Sequence, residues 1–180
     1  MNSALLKHSV CVLLCFGLIP VAGAATNEEM TRLEAAYPVG SVVICRQDLP
    51  GNGMAHLPTR LEVRGTVLSR EADLTTGQGV ATWTPHGSAS PGLTLTFKVT
   101  QRKSGSGYYS RIDSASMAVS MPAAGPEGEK TVLEGMRQRL PAGEEFAPFS
   151  ETDITDFPSY VVRKPEEPPS YCHKEMQELP

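Results

Sequence analysis

The sequence predicts a mainly β protein of the β-rich α+β class, in which an antiparallel sheet, a sandwich or a partly open barrel carries an N-terminal helix and one late amphipathic helix. The main observation is a long hairpin. Its first strand, Gly92–Gln101, alternates apolar and polar residues, and a second alternating run, Ser114–Met121, follows the glycine- and serine-rich turn Ser104–Gly107. Alternation with a period of two is typical of strands with one buried face. Helical spacing is found instead at Asn27–Ala36 and Glu129–Leu140.

The first 24 residues have the features of a signal peptide. Lys7 gives a weakly positive start, an apolar run covers Val10–Val21, and Ala22–Ala24 reads Ala-Gly-Ala, a typical cleavage site. The run is too short and too broken for a stable membrane span. We therefore predict a cleaved leader over residues 1–24 and a single β-rich domain over residues 25–180, exported to the bacterial periplasm or secreted. An uncleaved anchor is the alternative.

The elements before the hairpin are expected to be one helix and three strands. Thr26 and Glu29 have capping-box spacing, which predicts the start of the helix Asn27–Ala36. The apolar run Ser41–Cys45 predicts a buried strand, and Val80–Thr84 predicts a short one.

The strand between these two is expected to be irregular. Leu61, Val63 and Val67 share one face, and Gly65 among them predicts a β-bulge that keeps the register. The polar stretch Glu71–Gly77 predicts a loop.

After the hairpin the composition changes at the linker-like stretch Pro122–Gly128. Helical spacing of apolar residues predicts an amphipathic helix over Glu129–Leu140, which Gly135 weakens by about 1 kcal/mol relative to alanine. Tyr160–Val162 is expected to be a final edge strand, because Pro158 precedes it. A proline-rich C-terminal tail follows.

The cysteines predict one disulfide bond. Cys11 and Cys15 lie in the predicted leader, which leaves Cys45 and Cys172. Two cysteines in an oxidising compartment most simply pair with each other. Closing so large a loop stabilises the fold by about 4–5 kcal/mol in the chain-entropy model and ties the tail to the first strand. A redox-active or metal-binding thiol pair is the alternative, but its usual Cys-x-x-Cys spacing is absent.

The charge balance argues against nucleic acid as a partner. The sequence has 16 basic and 20 acidic residues and a net charge of −4. Lys7 is the only charged residue of the leader, so its removal leaves 15 basic residues and a net charge of −5. Nucleic-acid binding needs a basic face. No membrane span is expected after cleavage of the leader.

No motif for catalysis, cofactor binding or metal binding is found in the sequence. The Gly-x-Ser-x-Gly elbow and the phosphate-binding glycine loop are absent. His56, His86 and His173 are far apart in predicted loops, so we expect solvated side chains rather than metal ligands. We therefore predict a binding protein with no catalytic, cofactor or metal residues. A hydrolase whose carboxylates converge only in the fold is the alternative.

The segment Glu144–Asp156 is the best candidate for partner binding. It contains five acids and no lysine or arginine, with phenylalanines between the acids. Aromatic side chains fill pockets at interfaces and charges steer a partner of opposite sign, so the expected partner is a cationic protein such as a toxin or a hydrolase. The alternative is a solvated loop whose phenylalanines pack on the core. The candidate contacts are Glu144, Glu145, Phe146, Phe149, Glu151 and Asp153.

The hairpin turn carries a short family resemblance. Ser104-Gly-Ser-Gly-Tyr108 resembles the Ser-Gly-x-x-Tyr loop of the periplasmic inhibitors of animal-type lysozymes. Those proteins are small exported β-barrels that insert a loop into the cleft of the enzyme. The likeness covers this loop alone. It implies that Ser104 and Tyr108 contact the partner, and the adjacent Tyr109 is a third candidate at this turn.

Together these features predict an exported protein that neutralises another protein by occluding its active site. It would act as an immunity protein against an envelope-targeting toxin or as an inhibitor of a cell-wall hydrolase. A structural or assembly accessory of the envelope, such as a pilus or secretion component, is the alternative. Donor-strand subunits have an alternating N-terminal extension, whereas this chain is expected to continue from its leader into a helix.

Overall fold

The structure, a computed structural model, describes residues 24–51, 57–141 and 143–176. The predicted signal peptide, apart from Ala24, and His56 lie outside these residues. Across the described ranges, nine strands form one antiparallel sheet that carries two helices, which confirms the predicted β-rich class. Within the described residues, no helix combines the length and the apolar composition needed to cross a membrane.

The helices are α1 (Asn27–Ala36) and α2 (Gly125–Arg139). The strands are β1 (Val42–Leu49), β2 (Thr59–Glu71), β3 (Leu74–Pro85), β4 (Leu93–Lys103), β5 (Gly107–Ser120), β6 (Glu145–Pro148), β7 (Thr152–Asp156), β8 (Ser159–Val162) and β9 (Ser170–Lys174). A single turn of 3-10 helix, Phe149–Glu151, connects β6 to β7.

The sheet is rolled into a nearly closed barrel. Its strands occur in the order β6-β5-β4-β3-β2-β1-β9-β8-β7, so β6 and β7 form the two edges. Only the turn Phe149–Glu151 separates these edges in the chain, and so short a link spans at most roughly 14 Å. Glu145 in β6 and Lys164 after β8 accordingly lie 3.8 Å apart across the gap.

Helix α1 covers one end of the concave face. Met30 and Leu33 are buried and pack with Phe149 of the linking turn. The predicted capping box is present, since the Thr26 hydroxyl accepts the Glu29 amide at 3.2 Å and the Glu29 carboxylate accepts the Thr26 amide at 2.8 Å. These bonds satisfy amide groups that a helix start leaves without partners.

Two cations from the sheet hold the other end of α1. Arg70 of β2 donates to the carbonyls of Glu34 at 2.7 Å and Tyr37 at 3.2 Å, and Lys174 of β9 donates to the carbonyl of Ala36 at 2.8 Å. The last carbonyls of a helix lack partners within it and carry partial negative charge. The two cations therefore stabilise the helix end and attach it to two separate strands.

Helix α2 packs on a second cluster of buried residues. Leu133 and Met136 contact this cluster, whose buried members are Ala81, Leu95 and Met117. The predicted helix is confirmed, but it begins at Gly125 rather than Glu129. Pro126 lies in its first turn, where the missing amide of proline costs no hydrogen bond.

Both helices lie on the same face of the sheet. In β3, Thr75 lines the space under α1, whereas Ala81 and Trp83 pack in the cluster under α2. Residues an even number of positions apart in a strand point to the same side. The two helices therefore cover different parts of one concave face.

The predicted bulge at Gly65 is wrong. Gly65 pairs regularly with Val43 and with Gly79, and the register shifts between Val67 and Ser69 instead. A Cβ on Gly65 would lie 3.2 Å from the Val43 side chain. The glycine therefore allows close side-chain packing rather than a bend.

The predicted loop over Glu71–Gly77 is also wrong. Strands β2 and β3 are joined by the two-residue turn at Ala72 and Asp73. Ala72 adopts a positive φ of 50°, the left-handed conformation found in tight hairpin turns. The polar residues that suggested a loop belong to strands, because one face of this hairpin is exposed to solvent.

The C-terminal region needs two corrections. Strand β8 contains the predicted strand Tyr160–Val162, but it lies between β7 and β9 and is not an edge. The predicted tail contains β9, which pairs with β1 and β8. The predicted disulfide between Cys45 and Cys172 is confirmed, and it joins residues that are directly opposite in β1 and β9.

We expect replacement of both Cys45 and Cys172 by alanine to lower the free energy of unfolding by about 2–5 kcal/mol, because the bond closes a loop with a sequence separation of 127 residues. Urea unfolding of the variant and the oxidised wild-type protein measures the difference. Equal midpoints and slopes would show that the bond does not stabilise the fold.

A glycine in the sheet gives space to an aromatic ring. Gly79 of β3 is paired with Phe97 of β4, and a Cβ on Gly79 would overlap the Phe97 ring. Gly135 in α2 provides a matched comparison, since a Cβ there would meet no atom within 4 Å.

We expect Gly79→Ala to destabilise the protein by about 1–3 kcal/mol, because the ring has to move out of a packed position. Gly135→Ala should stabilise it by about 0.5–1 kcal/mol through helix propensity. Free energies of unfolding in urea check both values. Effects of the same sign at the two glycines would contradict this account of Gly79.

Candidate functional site

The structure divides the predicted contact residues between the inside and the outside of the barrel. Successive residues of a strand point to opposite faces, and adjacent tyrosines in β5 follow this rule. Those whose side chains face the interior or are buried are Tyr108, Phe149, Glu151 and Asp153. Those on the outer surface are Tyr109, Glu144 and Phe146. Glu145 is exposed at the sheet edge but faces the concave side, and Ser104 lies in the hairpin turn.

Ser104 stabilises the hairpin turn. Its hydroxyl donates to the Gly107 carbonyl at 2.8 Å and accepts the Gly107 amide at 3.1 Å and the Ser106 amide at 3.4 Å. Such side-chain bonds to nearby backbone groups fix the conformation of a turn. The hydroxyl that the family resemblance assigns to a partner is therefore engaged within the turn itself.

Tyr108 points into the barrel. Its hydroxyl donates to a Glu34 carboxylate oxygen at 2.8 Å, and Lys103 lies 2.8 Å from the other oxygen. The Tyr108 ring meets Phe149 edge-on at a centroid distance of 5.1 Å, and Phe149 is only 4% exposed. Burial, then the charge of Glu34 and the hydrogen bond to it, raise the pKa of Tyr108. These contacts fasten α1 to the hairpin.

The later part of the acidic segment is also used internally. Asp153 is 8% exposed and accepts a hydrogen bond from Arg163 Nε at 2.7 Å. Glu151 lines a cavity under α1. Phe149 therefore packs on the core, which was the alternative to partner binding. Only the start of the acidic segment reaches the outer surface of β6.

Four residues form a continuous row on the outer face, which we call the outer strip: Leu74, Arg102, Tyr109 and Phe146. Leu74 is paired with Arg102, Arg102 with Tyr109, and Tyr109 with Phe146, in register across β3, β4, β5 and β6. Side chains directly opposite in neighbouring strands lie about 4.5–5.5 Å apart at Cβ. The pairing of four strands therefore brings together residues that are distant in the sequence.

The members of the outer strip contact one another. The Arg102 guanidinium lies 4.5 Å from the centroid of the Tyr109 ring, and the Phe146 ring is tilted against Tyr109 at 4.9 Å. Glu144 accepts a hydrogen bond from Arg102 at 2.8 Å, and this bond together with the carboxylate charge raises the pKa of Arg102. Phe146 is still 43% exposed and Leu74 39%. The strip is thus ordered by its own contacts and open to solvent.

The glycine that ends the hairpin turn makes room for this strip. A Cβ on Gly107 would overlap the Phe146 ring and the Ala147 carbonyl, whereas a Cβ on Gly105 would meet no atom within 4 Å. The two glycines of the turn therefore differ: Gly107 is required by the packing of Phe146, and Gly105 lies at the open tip.

Two members of the outer strip are not among the residues predicted from the sequence. Leu74 lies in the stretch predicted to be a loop, and Arg102 lies just beyond the predicted first strand of the hairpin. Arg102 could have been found by extending the alternation, because Thr94, Lys98 and Arg102 occupy even positions of β4 and belong to its polar side. Leu74 had no such signal, because it is an apolar residue at an exposed position of β3.

The described histidines do not form a metal site. Among the residues that the structure describes, no group of three or more histidine, cysteine, aspartate or glutamate side chains is placed to hold a metal ion. His86 lies 3.5 Å from Asp48. His173, predicted to be in a loop, belongs to β9 and is paired with Ile44 of β1.

Comparisons of the chain with protein-family models, with curated proteins and with solved structures found no match. The geometry and chemistry of the outer strip are therefore the observations from which a function is inferred.

Two further tyrosines lie near Tyr108: Tyr37 is buried and Tyr160 is partly buried. Tyr37 donates its hydroxyl to the Pro158 carbonyl at 2.9 Å and meets Tyr160 edge-on at 6.3 Å. Burial raises the pKa of Tyr37 to about 12, and burial followed by the charge of Tyr37 raises the pKa of Tyr160. Unfolded tyrosines titrate near pH 10, so the unfolded chain releases these protons at a lower pH than the folded protein.

We expect the stabilising effect of these protonated hydroxyls to be complete below pH 10 and to be lost as the pH rises from 10 to 12 and beyond. Tyr37→Phe removes one of the linked protons, so its free energy of unfolding should fall less steeply over this range. The variant should be less stable at pH 7, because the Pro158 carbonyl loses its donor. Urea unfolding from pH 7 to 12 tests this, and identical slopes for both proteins would contradict it.

Proposed function

We propose that the chain is an exported protein that binds another protein through the outer strip and neutralises it by covering its active site. The single observation that carries this proposal is the ordered, exposed row of Leu74, Arg102, Tyr109 and Phe146 across four strands. The partner class remains the one expected from the sequence, a cationic toxin or a cell-wall hydrolase.

The composition of the outer strip supports a protein interface. Tyrosine and arginine are enriched among the residues that dominate binding energy, and phenylalanine is enriched in interface centres. Leu74 and Phe146 at the two ends add exposed apolar surface. On the surface of a monomer, a contiguous apolar and aromatic patch with a polar rim is typical of a recognition site.

The contacts within the strip support binding with little loss of side-chain freedom. Arg102 is held by both the Tyr109 ring and the Glu144 carboxylate. Ordering a long side chain on binding costs about 0.5–1.5 kcal/mol, so a side chain that is already held avoids part of that cost. The short hairpin turn beside the strip, with Gly105 and Ser106 exposed, projects next to this surface and can enter a concave partner.

The charges around the strip favour a cationic partner. Three exposed acids border it: Glu71, Asp73 and Glu144. Arg102 pairs with Glu144, and the exposed Arg111 lies two residues from Tyr109 on the same side of β5. Within the described part of the chain, Glu71 and Asp73 have no ion-pair partner within 4.0 Å, so the border keeps a small surplus of negative charge that attracts a cation over about a Debye length.

The disulfide supports export. The bond between Cys45 and Cys172 forms and persists in oxidising compartments such as the periplasm or the extracellular space. A binding protein in that compartment meets envelope toxins and cell-wall hydrolases, which is the reason for preferring these classes of partner.

The proposal is tested by capture from bacterial envelope extracts and from secreted fractions, followed by assay of the captured protein. We expect the wild-type protein to retain a cationic protein and to inhibit its activity. Tyr109→Ser combined with Phe146→Ser should weaken the complex at least about 30-fold, the equivalent of about 2 kcal/mol for a central contact. Tyr171→Ser is the matched control, since Tyr171 is 55% exposed on β9, away from the strip.

A second arm tests the charges. Asp73→Lys should slow association and reduce its dependence on salt, whereas Asp156→Lys, an identical charge change at an exposed position of β7, should not. The proposal fails if no protein is retained, if Tyr171→Ser weakens the complex as much as the strip variant, or if the retained protein keeps its full activity in the complex.

A further inference from the structure

A cavity of about 250 Å³ lies inside the barrel under α1. Its walls are mostly apolar, formed by Met30 and Leu33 of the helix and by Val43, Val67 and Val162 of the strands. Three tyrosines, Tyr37, Tyr108 and Tyr160, also line it. An apolar cavity with a few polar groups in its wall is the usual form of a small-molecule site.

Two of the polar groups retain hydrogen-bonding capacity. Arg70 uses Nη1 on the carbonyls of Glu34 and Tyr37 and Nε on Thr75 at 3.2 Å. Its Nη2 has no hydrogen-bond partner among the described residues, and neither has the Tyr160 hydroxyl. A guanidinium nitrogen and a phenol hydroxyl can both donate to an oxygen of a ligand.

The charges in the cavity wall indicate where the charged end of a ligand would bind. The charge of Glu34 is neutralised by Lys103 at 2.8 Å, and its other oxygen accepts the Tyr108 hydroxyl. Arg70 has no carboxylate within 4.0 Å among the described residues. Glu151 is the other acid in the wall and directly precedes the edge strand β7. Arg70 belongs to β2, the middle strand of the sheet order, and therefore lies on the opposite wall of the barrel.

The volume limits the size of the ligand. A cavity of about 150 Å³ accommodates benzene, so about 250 Å³ accommodates roughly ten non-hydrogen atoms. An eight-carbon chain with a carboxylate has this size and combines an apolar body with an anionic head group.

We infer that the cavity binds a small carboxylic acid with an apolar body of about seven carbons. The carboxylate lies at Arg70 Nη2 and the Tyr160 hydroxyl, and the chain lies among Met30, Leu33 and Val162. A carboxylate beside a guanidinium in a partly dehydrated site gains an ion pair as well as a charge-assisted hydrogen bond, whereas a neutral head group gains only the hydrogen bond.

The test uses three probes of equal chain length with the full-length protein: octanoate, octanol and octylamine. Calorimetric titration should give a dissociation constant below about 100 μM for octanoate, in keeping with ordinary ligand efficiencies. Octanol and octylamine should bind at least 10-fold more weakly. Equal or tighter binding of either, or no detectable heat with octanoate at 1 mM, would overturn the inference.

A pair of variants locates the site. Ala147 lines the cavity, so Ala147→Leu fills it and should weaken octanoate binding at least 10-fold. Ala118→Leu is the same change at an exposed position of β5 and should leave binding unchanged. Equal losses, or no loss, in the two variants would place the ligand elsewhere and overturn the inference.

Tyr160→Phe gives an independent check that preserves shape. It removes only the hydroxyl and should weaken octanoate binding about 3- to 10-fold. An unchanged dissociation constant for octanoate would show that the hydroxyl does not contact the head group and would overturn this assignment. Should Ala147→Leu fail to fold, Tyr160→Phe and the three probes decide the matter alone.

Discussion

The structure depends on one geometrical constraint, the three-residue link Phe149–Glu151 between β6 and β7. These strands occupy the opposite edges of a nine-stranded sheet, yet they are almost adjacent in the chain. A flat sheet cannot satisfy this connection, so the strands have to curl until the edges approach each other. Curling creates the concave face that α1 and α2 cover and the convex face that carries the outer strip. Phe149 itself packs in the core under α1, so the link also contributes to the interior.

The parts of this fold that could be read from the sequence are those with local signals. The capping box of Thr26 and Glu29 and the alternation of β4 depend on neighbouring residues only, and both are present in the structure. The pairing of Cys45 with Cys172 was predictable by elimination, because two cysteines leave one bond to make. Strand β9 had no comparable signal, since its five residues follow a proline-rich stretch and become a strand only through pairing with β1 and β8.

The candidate site, like β9, depends on strand pairing that the sequence alone does not reveal. The sequence indicated the right region, but it could not show that Tyr108 and Phe149 face inward while Tyr109 and Phe146 face outward. In β5 the assignment depends on which tyrosine pairs with the inward position of β4, and pairing is a property of two strands. The adjacent tyrosines therefore have opposite roles: Tyr108 attaches α1 to the barrel, and Tyr109 sits at the centre of the strip. A one-residue slip of this hairpin would exchange them and disrupt both the interior and the surface.

The position of β9 has a consequence for the order in which the molecule can assemble. Strand β1 emerges early in synthesis, but its partner β9 lies 127 positions later at the disulfide. Until then β1 offers an unpaired backbone edge, and β7 and β8 have no connection to the rest of the sheet except through the link from β6. Open edges invite association with other chains, so a polypeptide of this topology remains exposed to misassembly until its last strand joins β1. Oxidation of the two sulfurs then makes that final step difficult to reverse.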